Sequence, residues 1–136
     1  MECRLVAVDY GEKRIGIAIS DPLKLFAKPL KTIPNLGFDH TCSEIEAICA
    51  EYHADRIIVG VPYSVDGNIT LKTQEVLDFI DNLKNKLSLP ILGWDERWTT
   101  AEANKILEGM GYTWKKSRAH VDAFAACLIL KSYMEQ

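Results

Sequence analysis

A chain of 136 residues, 48% hydrophobic and 26% charged, has the size and make-up of one globular domain with a real core, spanning residues 1–136. A net charge of −3 excludes a polycation that coats nucleic acid over its whole surface, though not a local basic groove. No apolar run approaches the ~20 residues of a membrane helix, and the stretch behind Met1-Glu2-Cys3-Arg4 is shorter than the ~7–15 apolar residues of a secretory signal, so a cytoplasmic protein without a membrane partner is expected.

Leu5-Val6-Ala7-Val8 is an apolar, β-branched run that ends at Asp9 and reads as a buried strand. Tyr10-Gly11-Glu12-Lys13 reads as a turn in which Gly11 is free to take positive φ. Arg14 to Ser20 is the returning strand, and Asp21-Pro22 turns the chain again. Ala27 to Ile33 predicts a third strand, with Pro29 placing it at an edge. Thr41-Cys42-Ser43-Glu44 has the form of a capping box, followed by Ile45, Ile48, Cys49 and Tyr52 on one helical face. Arg56 to Val61 is a fourth strand, and Pro62 to Asn68 a polar loop carrying Asp66-Gly67.

Val76, Phe79, Ile80, Leu83 and Leu87 define a second helix, and Pro90 to Trp94 a fifth strand that ends at Asp95-Glu96-Arg97. Thr99 and Glu102 predict a cap, with Ala103, Ile106, Leu107 and Met110 forming a third helix that stops at Gly111. A last helix is expected from about Arg118 to Tyr133. The order βββαβαβαα implies an α/β fold: a five-stranded mixed sheet flanked by helices, antiparallel in its leading hairpins and parallel in its later strand–helix–strand units. Cys3, Cys42, Cys49 and Cys127 contain no CxxC pair and no His cluster, so neither zinc nor a disulfide framework is expected.

Three positions carry the chemistry. Asp9 follows a buried strand, where an ionised carboxylate requires a partner or a cation. Asp95 and Glu96 end the fifth strand, and ligands in open α/β sheets gather beyond the carboxyl ends of parallel strands. Asp122 is the one charged side chain between Val121 and Leu130, in a helix otherwise apolar nearly all round, close to the positive end of the helix dipole. A few carboxylates plus substrate phosphate are the usual set for Mg²⁺ or Mn²⁺ in phosphodiester hydrolysis. No Walker A, GxSxG or HExxH sequence competes with that reading. Lys13 and Arg14 near Asp9, Arg97 beside Glu96, and Lys115, Lys116 and Arg118 ahead of Asp122 would form a phosphate-binding rim.

Four ordered motifs spanning nearly the whole chain resemble the YqgF proteins, also called Holliday junction resolvase-like proteins. They are Val8-Asp9-Tyr10-Gly11-Glu12-Lys13-Arg14-Ile15-Gly16 with Ser20-Asp21-Pro22, Ile58-Val59-Gly60-Val61-Pro62 with Asp66-Gly67, Trp94-Asp95-Glu96-Arg97-Trp98-Thr99-Thr100, and Lys115-Lys116 with Val121-Asp122-Ala123-Phe124-Ala125-Ala126. The resemblance implies a single RNase H-like domain with Asp9, Glu96 and Asp122 as catalytic and metal-holding residues. The role of Asp95 is not separated from that of Glu96 by spacing. It also implies nuclease action in maturing the 5′ end of precursor 16S ribosomal RNA, or on four-way DNA junctions; symmetric cutting of a junction would ask for a homodimer, and the sequence leaves monomer and homodimer both open. Trp98 stands where a Leu is frequent, and the segment ahead of Asp122 is less basic than in many relatives, which weighs against tight binding of duplex DNA. A non-catalytic nucleic-acid-binding domain of the same fold is the remaining alternative, and retention of all three carboxylates argues against it.

Overall fold

The computed structural model describes residues 3–98 and 121–136. Within them the chain forms β1 (Arg4–Asp9), β2 (Arg14–Ser20), β3 (Ala27–Pro34), α1 (Phe38–Tyr52), β4 (Ala54–Val61), α2 (Leu71–Lys86), β5 (Ile91–Asp95), a 3-10 turn (Glu96–Trp98) and α3 (Val121–Met134). The strands make one mixed sheet in the order β3-β2-β1-β4-β5. β1 pairs antiparallel with β2 and parallel with β4; β2–β3 is antiparallel and β4–β5 parallel. The expected helix from Ala103 to Met110, its Thr99–Glu102 cap, and Lys115, Lys116 and Arg118 lie outside the described residues.

β1 is central, and this explains its continuous apolar run: both of its faces are covered. Val6 and Val8 join Ile15, Ile17, Ile57 and Val59 in a core built with α1 and α2. Leu5 and Ala7 turn the other way and pack with Ala18, Ile58, Phe124, Cys127 and Leu130 beneath α3. Strand alternation therefore divides the sheet into an α1/α2 face and an α3 face. Cys42 and Cys49 both meet the first of these cores, Cys49 fully buried.

β3 lies at an edge, where Pro29 removes no ladder donor that an interior strand would need. The register slips between Ile17 and Ala18 opposite Pro29, the kink of a local bulge.

Two local expectations are overturned. α1 begins at Phe38, with Gly37 (φ 108°) as its N-cap and no side-chain cap. Thr41 lies inside the first turn, its amide bonded to the Gly37 carbonyl and its hydroxyl buried without a partner. The Thr41–Glu44 spacing thus imitates a capping box without being one, because Phe38 packs on the core and starts the helix earlier. The side-chain cap belongs to α2 instead. Thr70 Oγ1 accepts from the Thr73 amide at 3.1 Å and the Thr70 amide donates back to Thr73 Oγ1 at 3.1 Å. Thr73 fills the place usually held by Glu or Gln. Gly11, too, keeps an ordinary φ; a side chain there would collide with the Arg14 carbonyl, so close approach and not handedness asks for glycine.

Candidate active site

Cross-strand neighbours share a face, so sheet register decides which carboxylates can meet. Asp9 follows Ala7 in parity and turns to the α3 face. Its partner across the hairpin is Gly16. On the other side, Val8 pairs with Val59, so Gly60 lies next to Asp9, and Gly60 pairs in turn with Trp94. Both glycines make room. A Cβ on Gly16 would run into the Asp122 carbonyl, so the start of α3 rests directly on β2. A Cβ on Gly60 would lie 2.7 Å from Glu96 Oε1 and strike Ile129. Glu96 thus lies over Gly60 and Asp122 over Gly16, with Asp9 between them.

Asp95 has the opposite parity. Its carboxylate accepts from the Arg97 amide (2.9 Å), from Arg97 Nε (3.0 Å) and from an Arg97 terminal nitrogen (2.6 Å). Those bonds, with the guanidinium charge, hold its carboxyl below the ordinary range. Arg97 also donates to the Val65 carbonyl at 3.2 Å and lies over the Tyr63 ring. Asp95 and Arg97 are therefore a mutually satisfied pair beside a groove of about 580 Å³, lined among others by Tyr63, Asp81 and Lys84 on the α2 side of the sheet. That groove includes neither Asp9 nor Glu96.

Electrostatically the α3-side group is strained. Burial, followed by the charges of Glu96 and Asp122, pushes Asp9 up to about 7 from an ordinary 3.8. Glu96 is also raised, chiefly by burial, and its side chain is within hydrogen-bonding reach of Asp9. The two carboxyls are coupled: burial disfavours the charge on both, and ionising one makes the other harder to ionise. Asp122 accepts from Arg14 Nε at 2.9 Å, the guanidinium being largely exposed. Among the described residues no three acidic, His or Cys side chains converge on one point. The donor set still suits a hard divalent ion: two carboxylate groups that repel when both are ionised, with a third one ion pair away.

Of the sequence-predicted rim, Arg14 reaches Asp122, Arg97 is held by Asp95, and Lys13 is exposed at the hairpin turn. One residue escaped sequence reasoning. Lys72, in the first turn of α2, lowers both Asp9 and Glu96 through its charge. The signal was present: α2 has no acidic residue in its first turn, and a cation stands where the helix dipole favours an anion.

The sheet, the flanking helices and a carboxylate group at the strand ends define an RNase H-like fold of the resolvase type. Solved structures with this fold include a Thermus thermophilus RuvC in complex with Holliday junction substrate (TM-score 0.63, 12% identity, covering 98% of this chain and 95% of that one). The yeast mitochondrial Holliday junction resolvase is similar as well (TM-score 0.60, 11% identity, 98% and 78%). The chain belongs to the RuvX family, whose description is "RuvX: Holliday junction resolvase" and whose model matches residues 3–136. Proteins named "Putative pre-16S rRNA nuclease" from Syntrophus aciditrophicus and Clostridium tetani are 37% and 38% identical to it over 132 residues. They cover 97% of this chain in both cases and 88% and 96% of the relatives. The family resemblance read from the four motifs is thereby borne out.

Proposed function

We propose that the protein is a cytoplasmic, metal-dependent endonuclease that hydrolyses phosphodiester bonds in precursor 16S ribosomal RNA, with Asp9, Glu96 and Asp122 as its catalytic and metal-holding residues. One observation carries the reading: Asp9 and Glu96, from distant parts of the chain, lie together on the α3 face with Asp122 near enough for its charge to act on Asp9, two glycines make room for them, and Asp9 is raised to about 7. Evolution of a stable fold alone would not place three acids together, because their mutual repulsion costs stability. Their value lies in what they bind.

Asp9 and Glu96 would hold Mg²⁺ or Mn²⁺, with substrate phosphate completing the shell. When bound, the ion supplies Lewis-acid polarisation of the phosphate and an activated water. The chain's own residues do the rest. Asp9, raised to about 7, would hold such an ion only in its deprotonated form. Arg14 anchors Asp122 and is largely exposed, so it could exchange that carboxylate for an incoming phosphate. Lys13, Lys115, Lys116 and Arg118 would complete the rim that carries the nucleic-acid backbone, while Arg97 is held by Asp95 on the α2 side of the sheet. In the described residues no helix is long and apolar enough to cross a membrane.

The family description favours a second substrate, the four-way DNA junction. A junction resolvase cuts two strands symmetrically and acts as a homodimer, whereas a ribosomal RNA trimming enzyme can act as a monomer. Purified protein with Mn²⁺ is offered precursor 16S RNA and a four-way junction in parallel. Site-specific cuts in the RNA with an intact junction support the first reading. Paired symmetric nicks in the junction support the second, and cleavage of neither removes the nuclease assignment.

A further inference from the structure

We propose that Asp95 and Arg97 are positioning residues for Glu96: locked to each other and to the β4–α2 loop, they fix the turn from which Glu96 reaches the site, and Arg97 is occupied by that clamp rather than by substrate phosphate. The proposal rests on the nuclease reading above and adds the role of two residues to it.

Glu96 opens a 3-10 turn of three residues directly behind β5. So short a turn has few backbone bonds of its own with which to hold a side chain still. The two sequence neighbours of Glu96 supply the hold. Asp95 Oδ1 accepts from the Arg97 amide at 2.9 Å, which closes a ring across Glu96, and from Arg97 Nε at 3.1 Å. Asp95 Oδ2 accepts from Arg97 Nε at 3.0 Å and from Nη2 at 2.6 Å. A fork seated on a carboxylate fixes the guanidinium plane, which a point charge does not do. Asp95 pairs with Val61 and faces the α2 side of the sheet, whereas Glu96 lies over Gly60 on the other side. The ring is thus closed on one face and presents Glu96 on the opposite one.

Arg97 carries the clamp to a second element. Its Nη1 donates to the Val65 carbonyl at 3.2 Å, and its guanidinium carbon lies 5.7 Å from the centre of the Tyr63 ring. Gly67 leaves room for it, since a Cβ there would lie 3.1 Å from Nη1. The loop that receives Arg97 is itself tied. The Ser64 amide donates to the Asn68 carbonyl at 3.1 Å, the Gly67 amide to the Ser64 carbonyl at 2.8 Å and the Asn68 amide to Ser64 Oγ at 2.9 Å. Thr73 Oγ1 donates to the Pro62 carbonyl at 2.6 Å and joins the loop to α2. One guanidinium therefore fastens the Glu96 turn to β5 and to the β4–α2 loop. The Arg97 side chain is 38% exposed, and ion pairs so open to water add little to global stability. Stability alone does not account for so many contacts on one exposed side chain; holding a carboxylate in register with Asp9 does.

The test uses the full chain with Asp95→Asn, Arg97→Ala, Arg97→Lys and the double variant Asp95→Asn/Arg97→Ala. Single-turnover cleavage of precursor 16S RNA in Mn²⁺ gives the maximal rate and the half-saturating protein concentration. A labelled single-stranded RNA is bound in Ca²⁺ over a salt series, and Mn²⁺ alone is titrated against the melting temperature. Each single substitution should lower the maximal rate by about 10–100-fold, leave half-saturation and the salt slope at their wild-type values, and raise the Mn²⁺ concentration needed for a given melting shift. Arg97→Lys should stay as slow as Arg97→Ala, because an ammonium cannot hold the carboxylate fork and the Val65 carbonyl together. The double variant should be no slower than the slower single one, since the two residues act as a unit. A phosphate-contacting Arg97 would instead lose about 0.7 of salt slope and be rescued by Lys. A merely structural pair would lower the metal-free melting temperature and leave the maximal rate intact. Either pattern overturns the proposal, and so does an additive double variant. Should Arg97→Ala melt below the assay temperature, the isosteric Asp95→Asn decides the matter by itself. Glu96→Gln run alongside separates the two failures. If it is inactive while the clamp variants cut at the wild-type rate, only the clamp is wrongly assigned. If it cuts as the wild type does, or the wild type cuts no RNA, the reading of the site falls and takes the clamp with it.

Discussion

At the scale of single residues the centre of the protein is a carboxyl group under pressure. Asp9 is held near 7 because burial and two neighbouring acids disfavour its charge. Its folded value lies above its unfolded one, so the stability tied to its proton is fully present below about 3.8 and is lost as pH rises through about 7. Asp9→Asn stays neutral throughout. Its metal-free form should melt above the wild type at pH 8, by an amount of order 1–4 kcal/mol, and the gap should close towards pH 4; scanning calorimetry across that range reads it directly. The same substitution, like Glu96→Gln and Asp122→Asn, should abolish cleavage while leaving the circular dichroism spectrum unchanged. Near-wild-type cleavage by any one of the three would remove that residue from the active site. Asp95→Asn belongs to a different class. It weakens the grip on Arg97 and should slow cleavage far less than Glu96→Gln does, a contrast that single-turnover rates will show.

Secondary-structure elements set the distances between these groups, and small residues set the elements. The start of α3 lies on β2 because Gly16 offers no side chain. Gly16→Ala puts a methyl group into the backbone of Asp122, and neither side can yield without moving a strand or a helix. A loss of about 1–3 kcal/mol is expected by urea melting, together with a loss of Mn²⁺ response, because Asp122 moves away from Asp9. Retained stability and retained Mn²⁺ response in this variant would show that α3 is not seated as described. Other residues of the first motif serve the frame. Ser20 Oγ accepts from the Leu5 amide at 2.8 Å, and Asp21 accepts from the amides of Leu23, Leu25 and Phe26 at 3.2, 2.8 and 2.7 Å. They close the β2–β3 connection at the end of the sheet away from Asp9, so Asp21→Ala should cost stability and leave the catalytic step intact.

For the whole molecule the decisive property is that Asp9, Glu96 and Asp122 come together only when the chain is folded. A divalent ion held there, as proposed, would bind the native state preferentially and raise its melting temperature with concentration. Mn²⁺ should do so in the wild type and not in Asp122→Asn, and the shift should shrink below pH 7, where the ion competes with the proton on Asp9. Equal shifts in both proteins would place the ion elsewhere. Much of this molecule is legible in its amino-acid sequence. The β-branched runs from Leu5 to Val8 and from Ile57 to Val61, the edge Pro29 and the 3.6-residue period of α2 announce their elements through short-range preferences, which are written locally. Asp122 announces itself as a charge in an apolar helix, and the four ordered motifs carry the family. Sequence could not say whether Asp95 or Glu96 joins Asp9, because that depends on the register of β4 against β5. It could not pair Arg14 with Asp122 across a separation of 108 residues. Local periodicity tells which side chains share a face of one element. Only the closed fold decides which faces meet, because the interactions between distant charges do not exist until loop closure and burial have brought them into one low-dielectric place.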